Sequence, residues 1–263
     1  MNSLFVMVAC TLLVMLAAPS PSLAEIKTET VEYKQGETTL KGFLAYDDST
    51  QGKRPGVIVV HEWWGLNDYV KRRTTEVAKL GYVAFAPDMF GNGKTTNDPK
   101  EAGALAGAIR NDPKTGIARA QAAYDVVKSQ SLVDASRIAS IGYCFGGQVS
   151  LEMARAGMPL VGVVSFHGAL QTKNPAQAGK FKAKVLALHG ADDPMVPVEE
   201  VLAFTEEMRN AKADWELVAY GNSVHGFTNP EADKRGIPGL AYNENADRRS
   251  WEAMKDFFEE VFK

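Results

Sequence analysis

Cysteine is scarce in this chain. There are two in 263 residues, Cys10 and Cys144. Clustered basic residues are also missing: the formal net charge is -3, and the run Lys71-Arg72-Arg73 is too short to grip a phosphate backbone. Nucleic acid is therefore excluded as a partner, and that run reads as a solvated helix face. No internal repeat, low-complexity tract or Pro/Gly linker divides the sequence, so residues 25–263 read as one domain. A metal motif is lacking too. His61-Glu62 begins like H-E-x-x-H, but Gly65 stands where the second histidine would be. With 45% hydrophobic and 23% charged residues, the composition is that of a globular chain able to build a core without disulfides or metal.

One long apolar run is present, Leu4 to Ala18, with no charged residue before Glu25. It is too short to span a bilayer comfortably. Pro and Ser residues follow it, then Ser22-Leu23-Ala24, small residues of the kind a signal peptidase reads. Residues 1–24 are expected to be a secretory signal peptide cut after about Ala24, which makes the mature protein periplasmic or secreted, with no membrane partner. The usual early Lys or Arg is missing, and the alternative is an uncleaved anchor. Cys10 is not read as a lipoprotein site, because the apolar run continues past it. After cleavage Cys144 is the single thiol. It cannot form an internal disulfide and is either reactive or an inert core residue.

The rest of the chain alternates strands and helices. Thr28 to Lys34 and Thr39 to Tyr46, with Gln35-Gly36 between them, read as an antiparallel pair at a sheet edge. Residues 56–60, 82–86, 138–144, 160–166, 185–189 and 217–220 are apolar runs of the kind found in strands buried on both faces. Helical spacing appears at Asn67–Leu80, Pro99–Ile109, Thr115–Lys128, Gln148–Ala156, Val198–Met208 and from Asn243 to the end. Parallel strands joined by crossover helices make this an α/β fold with helices on both faces of the sheet. The polar stretch Gly91–Asp98 and the short helix after it are expected to cover the active site.

Gly142-Tyr143-Cys144-Phe145-Gly146-Gly147 follows a strand and precedes a helix. That is G-x-nucleophile-x-G in a strand–turn–helix setting, a turn so sharp that side chains at Gly142 and Gly146 would meet backbone. The turn lifts the Cys144 sulfur above the sheet edge and sets it at a helix N-terminus, where the dipole favours thiolate. A thiolate needs a base and an orienting acid, and in α/β hydrolases the nucleophile is followed along the chain first by the acid and then by the histidine base. Asp193 lies just past the 185–189 strand, with Asp192 read as its turn or cap neighbour. His225 lies in the loop after the 217–220 strand. Among the other histidines, His189 reads as a core residue, His61 precedes the elbow and is out of order, and His167 ends the 160–166 strand in a position to line the pocket.

Four segments together resemble the dienelactone hydrolase family: Gly142 to Gly147, Asp193-Pro194-Met195-Val196-Pro197, Val224-His225-Gly226-Phe227, and His61-Glu62-Trp63-Trp64-Gly65-Leu66-Asn67. The resemblance runs from about Thr39 to the end and implies an α/β-hydrolase fold. It implies a Cys144–His225–Asp193 triad cleaving an ester or lactone through a thioester, with no cofactor. It further implies that Glu62 pairs with the resting thiol and helps activate it when substrate arrives. The oxyanion hole would be the backbone N–H groups of Trp63 and Phe145. Trp64, His167, Met195 and Phe227 are expected to line the substrate pocket. Family members that cleave dienelactones hold the substrate carboxylate with arginines, one of them shortly after the catalytic histidine. Here His225 is followed by Gly226, Phe227, Thr228 and Asn229, and Thr95–Ile109 contains no arginine, so a more apolar pocket is expected. Two other readings stand beside this one: another acyl substrate (a thioester or peptide) on the same fold, or a non-enzymatic exported binding or redox-thiol protein.

Overall fold

A computed structural model describes residues 25–263; the expected signal peptide lies outside the described residues. The chain begins with the hairpin β1 (Ile26–Gln35) and β2 (Thr38–Asp47), then β3 (Arg54–Val60), α1 (Asp68–Lys79) and β4 (Val83–Ala86). Helices α2 (Pro99–Asn111) and α3 (Pro113–Ser129) lead into β5 (Val133–Tyr143) and α4 (Phe145–Arg155). Then come β6 (Gly162–Phe166), β7 (Lys184–Gly190), α5 (Val198–Ala211), β8 (Trp215–Tyr220) and α6 (Glu244–Val261). The strands form one sheet in the order β1-β2-β4-β3-β5-β6-β7-β8. β1 and β2 are antiparallel, as is β2 to β4, and every pairing from β4 to β8 is parallel.

The parallel strands are apolar throughout because both faces are covered. Ile58 and Val60 of β3 point into the core shared with α2 to α5, while Val57 and Val59 point into the core shared with α1 and α6. β7 alternates in the same way: Val185 and Ala187 face one side, Leu186 and Leu188 the other. This is the two-residue period of a strand, with helices on both sides.

Two element starts differ most from the sequence expectation. β5 begins at Val133, because Arg54 pairs with Val133 before the ladder becomes continuous at Gly56–Ile138. The polar stretch Asp134–Arg137 hides that start from an apolar pattern. α4 begins at Phe145 instead of Gln148. Gly146 and Gly147 disguise its first turn, yet both are required there: a Cβ on Gly146 would sit 2.2 Å from Val60 O, and one on Gly147 2.6 Å from Ser165 Oγ. The basic run also divides in a way charge alone does not show. Arg73 is buried on the inner face of α1, paired with Glu76 and with Asp247 of α6, so the expectation of a uniformly solvated face is corrected at that residue.

Candidate active site

The β5–α4 turn places Cys144 at φ 54° and ψ -115°, a left-handed backbone for a residue with a side chain. Such conformations survive only where the surroundings enforce them. Here Gly142 and Gly146 do so: a Cβ on Gly142 would lie 2.1 Å from Gly146 O. The Cys144 N–H is shared between Phe166 O at 3.0 Å and His167 Nδ1 at 3.2 Å. Cys144 is half-buried and stands at the N-cap of α4.

The loops after β7 and β8 bring the other two members of the expected triad to the same edge of the sheet. Asp193 is 5% exposed, while Asp192 is in solvent, which separates the two neighbouring acids. Asp193 Oδ1 accepts from Met195 N at 2.8 Å, and Oδ2 accepts from His225 Nδ1–H at 2.8 Å. The second bond fixes the histidine proton on Nδ1 and leaves Nε2 for the cleft. His225 N–H donates to Gly239 O, and His225 O accepts from Ala241 N, so residues 239–241 brace the loop. Burial works against the imidazolium. The adjacent Cys144 thiol and the Asp193 hydrogen bond outweigh it and raise the His225 pKa. Cys144 and His225 face one cleft of about 240 Å³.

Glu62 is buried at the end of β3, and burial pushes its carboxyl from the usual 4.5 up to about 7. Its Oε2 accepts from Asn229 Nδ2 at 2.7 Å, and this bond, not a thiol contact, is its side-chain hydrogen bond among the described residues. In this structure the carboxylate is thus held by Asn229, where the resemblance implied the resting thiol. Asn229, in the loop that carries His225, has taken the carboxylate. His61 supports the segment: its Nδ1–H donates to Glu62 O at 2.6 Å and its Nε2 accepts from Met89 N. With burial lowering its pKa to about 4, His61 stays neutral and structural. The N–H groups of Trp63 and Phe145 find no acceptor among the described residues. For Phe145 that follows from its place as the first residue of α4, where an N–H has no intrahelical partner.

The expected pocket residues divide. Met195 is 40% exposed and lines the cleft. Trp64, His167 and Phe227 are buried beneath it. Trp64 packs edge-on to Trp63 and lies under the Arg235 guanidinium, 4.2 Å from its ring. Phe227 fills core between His167 and Tyr220. His167 is held by hydrogen bonds at both ring nitrogens: Nδ1 accepts from Cys144 N, so Nε2–H donates to Thr228 Oγ1 at 2.7 Å. It thereby links the elbow to the His225 loop. His189 is buried as expected, but its Nδ1 has no partner among the described residues.

Arg110, Gln148, Ala169, Gln171, Val196 and Leu240 complete the cleft with Trp63 and Met195. Arg110 puts a cation in a pocket expected to be more apolar. It stands at the end of α2, just past the arginine-free stretch 95–109. Its Nε–H donates to Gln148 Oε1 at 2.8 Å and its guanidinium lies 5.6 Å from the Phe145 ring centre. The stretch ahead of α2 does reach the site region: Gly65 bridges Thr95, and Thr96 N donates to Trp64 O. No cluster of three or more metal-type side chains occurs among the described residues.

A mostly parallel sheet, a strained strand–turn–helix elbow, and acid and histidine loops at the same sheet edge define an α/β hydrolase. The chain belongs to the dienelactone hydrolase family, whose family model matches residues 40–262. It is similar to a Saccharolobus solfataricus protein whose name proposes a carboxymethylenebutenolidase, 28% identical over 88% of this chain and 98% of that one. A dienelactone hydrolase-like promiscuous phosphotriesterase from metagenomic libraries is 42% identical over 90% of this chain and 99% of its own, with a TM-score of 0.87. A Klebsiella pneumoniae structure assigned to dienelactone hydrolase is 23% identical, covers 89% of this chain and 99% of its own, and has a TM-score of 0.75; it supports the fold alone.

Proposed function

We propose that the protein hydrolyses an ester or lactone with Cys144 as nucleophile, His225 as base and acid, and Asp193 as the group that orients His225. One observation carries the reading: strained Cys144 shares a cleft with His225, whose other ring nitrogen is bonded to buried Asp193. In the first step the thiolate forms a bond to the carbonyl carbon. The carbonyl oxygen takes the negative charge and accepts hydrogen bonds from the Trp63 and Phe145 N–H groups. Such donors contribute about 3 kcal/mol each to transition-state stabilisation. The C–O bond then breaks, the alkoxide takes the proton from His225, and a thioester on Cys144 remains. Water gives a proton to His225 and attacks the thioester, releasing the acid and restoring the thiolate. Glu62, protonated or ionised near neutrality, adjusts the charge beside His225 as substrate enters.

Arg110 supports a substrate or product carrying a carboxylate. Its side-chain hydrogen bond among the described residues uses Nε alone, which leaves both terminal nitrogens for a planar anion. Export through residues 1–24 belongs to the same proposal; a purified cell-envelope or culture fraction beginning at Glu25 tests it.

The test of function is turnover of a panel of activated esters and small lactones by the mature protein and by Cys144→Ala. An aryl phosphotriester belongs in the panel, because a protein 42% identical to this chain is described as a promiscuous phosphotriesterase. Turnover by the wild type, none by the variant, and an acyl adduct on Cys144 by mass spectrometry are expected. Equal activity in both proteins sinks the nucleophile assignment. Silence in both, with reversible glutathionylation of Cys144, favours a redox thiol instead.

A further inference from the structure

Beside the catalytic cleft lies a second cavity of about 250 Å³, bounded by α2, α3, α4 and residues 171–174. Ile109, Pro113, Ile117, Phe145 and Val149 supply its apolar lining, and Glu152 and Lys173 stand among its polar residues. Three residues, Arg110, Gln148 and Gln171, line both spaces. The Arg110–Gln148 hydrogen bond, which joins α2 to α4, therefore stands at their junction. The bond is exposed and opens readily, since water replaces it at little cost. Phe145 ties the two spaces further: its side chain lines the second cavity, while its N–H belongs to the proposed oxyanion hole.

We infer that this cavity is a second subsite of the same active site, taking an apolar arm of the substrate, an alkyl chain or a ring. The inference rests on the esterase reading above. Continuity through shared residues makes the occupant part of a molecule already in the cleft. The size suits such an arm, because a dry apolar cavity of about 150 Å³ already admits benzene. Arg110 at the junction would then hold the anionic end of an amphipathic substrate while its apolar end lies beyond. Burying each methylene there raises kcat/KM by roughly threefold to fourfold.

Two ester series distinguish the source of the arm: ethyl esters of acids from acetate to decanoate, and acetates of alcohols from ethanol to decanol, followed by proton release. Wild type, Ile117→Trp and Ile117→Ala are compared. Ile117 lines only the second cavity and lies outside the catalytic machinery. In wild type, kcat/KM is expected to climb along one series, which identifies the arm as acyl or alcohol. Ile117→Trp fills the space and should flatten that climb, losing at least tenfold on the longest member while ethyl acetate changes less than twofold. Ile117→Ala enlarges the space and should move the optimum to longer chains, which keeps the test open if the tryptophan variant does not fold. Octanoate binding to Cys144→Ala by calorimetry, weakened at least tenfold by Ile117→Trp, reads the subsite without turnover. Flat series in wild type, or an unchanged length profile and octanoate affinity in both Ile117 variants, overturn the subsite. Residual turnover by Cys144→Ala overturns the nucleophile instead, and the calorimetry still decides the cavity.

Discussion

Glu62→Gln isolates the cost of keeping a charge at the end of β3. The glutamate is 4% exposed, and its carboxyl is raised from 4.5 to about 7. The native state thus binds a proton more tightly than the unfolded chain does. Stability contributed by the protonated form is fully present below the unfolded value and is lost as pH rises through the folded one. Integrating that difference, this residue removes about 2–3 kcal/mol of wild-type stability between pH 5 and pH 8. Glutamine has the shape of the protonated acid, and its carbonyl can still accept from Asn229. The variant should therefore match wild type near pH 5 and exceed it at pH 8. His225 is present in both proteins and cancels to first order. The assay is chemical denaturation of both proteins at pH 5 and pH 8. A thermal scan should show a gap that widens by about 5–10 °C over the same interval for a domain of this size. A difference independent of pH, or larger at pH 5, refutes the reasoning. It would mean that Glu62 is ionised at ordinary acidity and held by more than Asn229.

Asp193→Asn keeps the shape but reverses the hydrogen bond that fixes His225, so kcat should fall on the order of 10⁴-fold with KM little changed; steady-state kinetics on the best ester of the panel checks it. Gly146→Ala drives a Cβ to 2.2 Å from Val60 O, and should cost more than about 3 kcal/mol in denaturant unfolding, because backbone must move to make room. Arg155 is buried against Glu207, with distances of 2.8 and 2.7 Å, and also donates to Leu170 O. Arg155→Met should cost about 3–5 kcal/mol by stranding the Glu207 charge, and Arg155→Met with Glu207→Met should recover at least half of that loss; a double-mutant cycle in urea measures both.

The positions of the proposed triad are legible because their signals are local. A nucleophile elbow needs glycines at fixed offsets: a Cβ on Gly142 would strike Gly146 O four residues on, within the same short stretch of chain. Asp193 and His225 could be placed because each follows an apolar strand run, and parallel strands deliver their following loops to one edge. The cleft lining was not legible in this way. Trp64 and Phe227 were expected at the surface of the pocket because they are aromatic and sit beside catalytic residues. Large apolar area is what a core takes first, and both are under 2% exposed. Arg110, Gln171 and Leu240 line the cleft from three separate segments, and their meeting depends on how loops far apart in sequence settle. Arg73 shows what periodicity could have supplied. Val70, Arg73 and Val77 share one helix face, and the other two are apolar and fully buried, so register places Arg73 inward whatever its charge. What register cannot name is the partner that makes burial tolerable: Asp247 arrives from α6, at the far end of the chain. Asn229 and Glu62 follow the same rule. Each side chain is visible in the sequence, but the hydrogen bond that holds the carboxylate spans two loops brought together only by the completed sheet. Chemistry that one turn imposes can be read from sequence, whereas the charges and surfaces that tune it belong to the tertiary fold.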